Sequence, residues 1–187
     1  MDPAVDNILE EFQKSKMKKR VKSGAKGKGA EREIVKILNK RFEKLLAANE
    51  SWGKFSRSVG SGNRWGQNVD LPKHAKDTFS GDLCVPQNFL WVLESKKGYN
   101  EEIDLCTLFG GTNATLDGFL KQVEDDSKRC DRKPMLIWKK DYKPRLAFVH
   151  RHDIVVAGYS CVLHYNGWTA VPFDEMLKSD DSFFFQF

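Results

Sequence analysis

The chain has 187 residues, 40% of them hydrophobic and 30% charged, with a formal net charge of +5. That length supports one complete hydrophobic core and makes a single domain the default. No apolar run is long enough to span a bilayer, and the N-terminus lacks the apolar stretch of a secretory signal, so a membrane role is not expected.

The charge is unevenly spread. Residues 1–11 carry Asp2, Asp6, Glu10 and Glu11 and no base. Residues 12–30 carry Lys14, Lys16, Lys18, Lys19, Arg20, Lys22, Lys26 and Lys28 and no acid. The block is poor in apolar residues and rich in Gly near its end, which predicts a flexible basic arm over residues 1–29 ahead of one domain over 30–187. Such a run is either a solubilising tail or a phosphate-binding device. Its position just before the first helix favours an arm that orders on nucleic acid, with Lys18, Lys19, Arg20, Lys22, Lys26 and Lys28 as the contacts.

A helix is predicted over Ala30–Leu46. Ile34, Val35, Leu38, Phe42, Leu45 and Leu46 form one stripe at helical spacing. Glu31 lies on that stripe, and Glu33 lies on roughly the opposite face. An acid in the first turn complements the helix dipole. That alone does not explain an acid aligned with the buried stripe, where an unpaired charge is costly; a bound metal would resolve that cost.

Residues 63–80 read as a long loop. Arg57, Ser58, Ser61, Asn63 and Arg64, at or before its start, are either phosphate contacts or solvated polar residues. Thr78–Val85 and Phe89–Lys96 are short, apolar segments separated by Pro86-Gln87-Asn88, so they read as neighbouring strands. Side chains two apart on a strand share a face, which puts Glu94 beside Lys96. A hairpin brings Asp82 next to them. Two carboxylates can hold Mg²⁺, and an ammonium can steady water or developing charge, so this grouping suits phosphodiester cleavage. Asp70 and Asp77 are rivals to Asp82, but only Asp82 lies in an apolar strand pattern.

Farther on, residues 98–115 are polar and Leu116–Arg129 is helical, starting at Thr115, with Gln122 on it. Met135–Trp138 and Leu146–Val149 are two strands joined near Pro144. Phe183, Phe184, Phe185 and Phe187 end the chain after an acidic stretch. They form either a clamp on the core or a partner-binding peptide, and their stickiness favours the clamp. Cys84, Cys106, Cys130 and Cys161 form no CxxC pair, and Cys84 and Cys161 are expected to be buried free thiols. His74, His150, His152 and His164 show no ligand spacing that converges on the acidic site.

With these residues in view, the chain resembles a known family. Gly29–Leu38 (GAEREIVKIL) resembles the opening helix of archaeal and phage Holliday junction resolvases, and Phe55–Gly62 (FSRSVGSG) their first strand and following loop. Gly81-Asp82 with Glu94-Ser95-Lys96 resembles the PD-(D/E)xK motif of the restriction-endonuclease-like superfamily, with Gly81 in place of the usual proline. The resemblance covers about residues 24–150. It implies a central mixed β-sheet flanked by helices, an α/β fold. It implies Glu31, Asp82 and Glu94 as metal ligands, Lys96 as the catalytic lysine, and a helical Gln in the position of Gln122 as a supporting side chain. It also implies Mg²⁺, with Mn²⁺ as a substitute.

The expected function is a Mg²⁺-dependent DNA endonuclease acting on branched or four-way DNA as a homodimer, in a cytoplasm, that of a bacterial host if the gene is a phage's. Another nuclease of the superfamily, of nicking, repair or restriction type, is the alternative, and a non-catalytic nucleic-acid-binding protein is the second.

Overall fold

The computed structural model describes residues 23–58, 80–104 and 111–187. The apolar stripe of the N-terminal region forms helix α1 (Ser23–Arg41), which continues into α2 (Glu43–Ala48) through a turn at Phe42. The helix therefore begins at Ser23, ahead of the predicted Ala30. The last part of the basic run, including Lys26 and Lys28, lies within its first turns. Ala30, Ile34, Leu38, Phe42 and Leu46 are buried along it, the four-residue spacing of one helix face.

Strands β1 (Ser56–Arg57) and β2 (Leu83–Cys84) pair antiparallel as a two-stranded ribbon. β3 (Trp91–Lys97) opens a five-stranded sheet with β4 (Lys133–Lys139), β5 (Arg145–His150), β6 (Leu163–Tyr165) and β7 (Trp168–Pro172), in the order β3-β4-β5-β7-β6. β3 and β4 are parallel, and the other pairs are antiparallel. A parallel pair needs a crossover, here helix α3 (Ala114–Cys130). Its cap is Asn113, whose side chain accepts a hydrogen bond from the Leu116 N–H, so the helix starts just before the expected Thr115.

Alternation along β3 divides the core in two. Trp91 and Leu93 pack with Ile34, Leu38 and Phe42 on the α1 side. Val92 packs with Leu116, Leu120 and Val123 on the α3 side. This is the mixed sheet between helical layers expected of a restriction-endonuclease-like fold.

Short helices α4 (Phe173–Met176) and α5 (Asp181–Phe184) finish the chain. Phe184 and Phe185 are buried against Phe42 and Phe89, and Phe185 forms a β-bridge with Phe89. Phe184 and Phe185 thus clamp the core, whereas Phe187 stays exposed. Cys84 and Cys130 are buried thiols, whereas Cys161 is exposed, contrary to its apolar sequence neighbourhood. Cys106 lies outside the described residues. Among the described residues, no helix is long and apolar enough to cross a membrane.

Candidate active site

Gly81 fixes the approach of the β1–β2 ribbon to β3. It has φ +78°, and a Cβ there would fall 2.6 Å from the Leu93 carbonyl oxygen and 3.0 Å from Val92 Cγ2. Only glycine combines that backbone with that closeness. Proline, fixed near φ −65°, cannot take this conformation, which accounts physically for the departure from the usual motif. Next to it, the Asp82 N–H donates to the Leu93 carbonyl at 3.0 Å, and the Ser58 N–H donates to the Asp82 carbonyl at 3.1 Å. β2 and β3 therefore lie side by side as expected, although the regular ladder of β2 is with β1.

The Asp82 side chain completes the link: its Oδ2 accepts the Ser95 backbone N–H at 3.0 Å. Glu94 is fully buried, and Asp82 is 8% exposed. Lys96 Nζ donates to Glu94 Oε1 at 2.5 Å and lies 5.2 Å from the centre of the Phe119 ring of α3. Glu94 Oε2 is buried with no hydrogen-bond partner among the described residues. Burial pushes the Glu94 carboxyl up to about 8; the charge of Asp82 adds to this, and Lys96 opposes it. Burial alone would lower the Lys96 ammonium, but its contacts with Glu94 and the charge of Asp82 outweigh that and raise it. One ammonium cannot offset two buried carboxylates, so Glu94 keeps a proton near neutral pH; a cation that replaces that proton would satisfy the oxygen left without a donor. The donor set of Asp82 and Glu94 fits a hard divalent ion, which prefers oxygen ligands.

Glu31 comes from a different element, beside Arg57, whose chain neighbour Ser58 bonds Asp82. It lies on α1, whose helix packs on the face of β3 opposite to Glu94 and Lys96, and its Oε2 accepts from Arg57 Nε at 2.6 Å. Where the sequence suggested a metal for this charge, the structure places the Arg57 guanidinium beside it. Glu33 is more exposed and pairs with Arg145 and with Lys139, the latter at 3.7 Å. Among the described residues, the trio of metal-ligating side chains whose ligand atoms all lie within 4.8 Å of one another is His150, His152 and Asp153, not Glu31, Asp82 and Glu94.

Gln122 is exposed on α3. The polar residue that α3 turns inward is Asp126, 3% exposed and paired with Arg129 at 2.5 Å. Burial raises its carboxyl, Arg129 opposes this, and the charge of Asp82 raises it again. The signal was present in the sequence: Asp126 lies three residues after Val123 and four before Cys130, on the same helical stripe.

Of the predicted DNA contacts, Arg57 is committed to Glu31, and Ser58 is buried with its hydroxyl unpartnered among the described residues. Lys28 is exposed. Lys18, Lys19, Arg20, Lys22, Ser61 and Arg64, with the rival acids Asp70 and Asp77, lie outside the described residues, as does the side chain of Lys26. A cationic recess not anticipated from sequence sits at the ends of β3 and β4, about 480 Å³ in volume and lined by Lys97, Lys139 and Lys143 with Asp141 and Tyr142.

A mixed sheet that presents an Asp from a neighbouring strand beside a Glu-x-Lys strand, with a helix crossing to a parallel partner, defines a nuclease of the PD-(D/E)xK superfamily. Within it, the chain belongs to the family described as phage putative PDDEXK endonuclease, which matches residues 22–180. No curated protein and no solved structure matches the chain. Membership implies nuclease activity with DNA as the substrate, and nucleases of this superfamily generally depend on a divalent metal.

Proposed function

We propose that the protein is a Mg²⁺-dependent endonuclease of branched DNA, with Mn²⁺ able to replace Mg²⁺. One observation carries the metal assignment: among the described residues the buried Glu94 keeps one oxygen unpartnered beside Asp82, while Lys96 holds the other. Asp82 and Glu94 would hold the ion, and Glu31 a water in its outer shell or the ion itself. When bound, the ion supplies Lewis acidity and a water of lowered pKa.

The chain's own side chains do the rest. The Ser95 N–H fixes the Asp82 carboxylate, so its other oxygen is aimed without a search through rotamers. Lys96 is packed over Phe119 and stays charged, which suits it to position the attacking water and to offset charge on the phosphate oxygens. The cationic recess of Lys97, Lys139 and Lys143 offers a phosphate seat at the end of the same strand. The residues before α1 would add further phosphate contacts.

Branched DNA is proposed on the likeness of Gly29–Leu38 and Phe55–Gly62 to junction resolvases, and a homodimer because a four-way junction presents two symmetric strands to cut. Purified protein incubated with Mg²⁺ and labelled four-way junction, flap, duplex and single-stranded DNA tests this. Preferred cleavage of the junction by a dimer is the expected result. Equal cleavage of plain duplex by a monomer would favour a nicking, repair or restriction-type enzyme. No cleavage of any substrate with Mg²⁺ or Mn²⁺ would favour a binding protein.

A further inference from the structure

A second cluster of ligating side chains lies away from the nuclease site. β5 ends at His150, and a 3-10 turn (Arg151–Asp153) follows at once. That turn brings His150, His152 and Asp153 together, with one ligand atom from each within 4.8 Å of the others. By strand register, His150 pairs with Trp168 on β7, two residues beyond Phe148, which is level with Leu136 and so with Glu94 two strands away, while Leu146 at the other end of β5 is level with Trp138 and so with Lys96. The cluster is therefore separate from Asp82, Glu94 and Lys96.

Its parts are held in place independently of any ligand. The His150 ring packs edge-on against Trp168, 4.3 Å between centres, and stands 5.2 Å from the His152 ring. The Arg151 N–H donates to the Gly167 carbonyl at 3.0 Å, tying the turn to the β6–β7 hairpin. Asp153 is nearly buried, and its Oδ1 is taken by Lys133 Nζ at 2.8 Å. Its other oxygen, Oδ2, faces His152 Nε2 at 3.6 Å. Ligand atoms around a tetrahedral Zn²⁺ are about 3.4 Å apart, from metal–ligand lengths of about 2.0–2.1 Å. The observed spacing needs only small side-chain rotations to meet that.

We propose that His150, His152 and Asp153 form a transition-metal site of zinc class that fastens the turn after β5 to the end of that strand. Two imidazole nitrogens and one carboxylate oxygen select Zn²⁺, Co²⁺ or Ni²⁺ over Mg²⁺, which prefers oxygen alone. The exposed His152 leaves a fourth position for water, and Lys133 orients the carboxylate while its charge limits the affinity.

The test is Zn²⁺ binding to the full chain in millimolar Mg²⁺, followed by calorimetry and by thermal unfolding, with Co²⁺ absorption as a spectroscopic check. One tight equivalent and a raised melting temperature are expected. His152→Ala, at an exposed position, should keep the fold by circular dichroism and weaken Zn²⁺ binding by about tenfold or more. Asp153→Asn should weaken it as well. His164→Ala and Cys161→Ser should leave binding as in the wild type, because His164 is engaged with Thr169 and Cys161 lies outside the trio. No Zn²⁺ binding by the wild type, or equal binding by wild type, His152→Ala and Asp153→Asn, overturns the proposal. The readout is metal binding and stability, so it stands or falls apart from the nuclease reading.

Discussion

The Asp82 carboxylate accepts the backbone N–H of Ser95 at 3.0 Å, so the first acid of the proposed site is bonded to the strand that carries the second. Ser95 sits between Glu94 and Lys96, whose side chains point to the other side of the strand from its own. One hydrogen bond thus sets the spacing of Asp82 from both. Asp82→Asn keeps the size and an acceptor oxygen but removes the charge. Cleavage should fall by a factor on the order of 10³, the range expected when a metal site contributing several kcal/mol is lost, while DNA binding is kept. Single-turnover cleavage and a gel-shift titration measure the two. Near-wild-type cleavage would remove Asp82 from the site.

Glu94→Gln should separate function from stability. The Glu94 carboxyl is raised from 4.5 to about 8 in the metal-free fold, so the folded chain holds a proton there that the unfolded chain has released. That stabilisation is complete below about pH 4.5 and fades as pH rises through 8. The Gln variant lacks the burden of a buried charge. Without metal, it should be more stable than the wild type at pH 8–9, by at most a few kcal/mol, and the gap should close toward pH 5. It should also be inactive. Urea unfolding in EDTA across that pH range reads the first effect, and a pH-independent difference would count against it.

Gly81→Ala places a methyl group 2.6 Å from the Leu93 carbonyl oxygen at a backbone angle that L-residues rarely adopt. A cost of about 1–3 kcal/mol is expected, with the β2 end pushed off β3 and cleavage abolished. Gly81→Pro, the residue of the usual motif, should be worse. A proline variant with normal melting temperature and activity would show that this backbone can rearrange freely.

Lys96 and Lys97 face opposite sides. Lys96 is stacked over Phe119 of α3, whereas Lys97 lines the cationic recess with Lys139. Lys96→Met should slow the chemical step with DNA affinity unchanged. Lys97→Met should weaken DNA binding and leave the saturated rate alone. Rapid-quench rates at saturating protein distinguish them, and an equal fall in rate for both would contradict the register.

Deleting residues 1–22 removes Lys14, Lys16, Lys18, Lys19, Arg20 and Lys22 and leaves α1 whole. Binding to every DNA shape should weaken. The salt dependence should flatten by about 0.9 in log–log slope for each phosphate that the shortened chain no longer neutralises. Cleavage at high protein concentration should recover. An unchanged slope would reduce the segment to a solubilising tail and leave the recess around Lys97 as the DNA surface.

Local pattern along the chain was enough to specify several elements. The alternation of β3 put Glu94 and Lys96 on one face, and the 3.6-residue stripe of α1 put Glu31 toward the core. The pair of apolar strands around Pro86-Gln87-Asn88 put Asp82 near Glu94. These follow from period and turn chemistry, which act over a few residues. Tertiary structure decided what depends on which sheet face a helix covers. Glu31 finds its cation in Arg57, twenty-six residues away, because α1 lies on the face of β3 that Glu94 avoids. The rotation of α3 on the sheet, set by burying Leu116, Leu120 and Val123, turns Gln122 outward and Asp126 in. The fit of Gly81 against Leu93 depends on close approach in space, which no spacing along a single chain specifies.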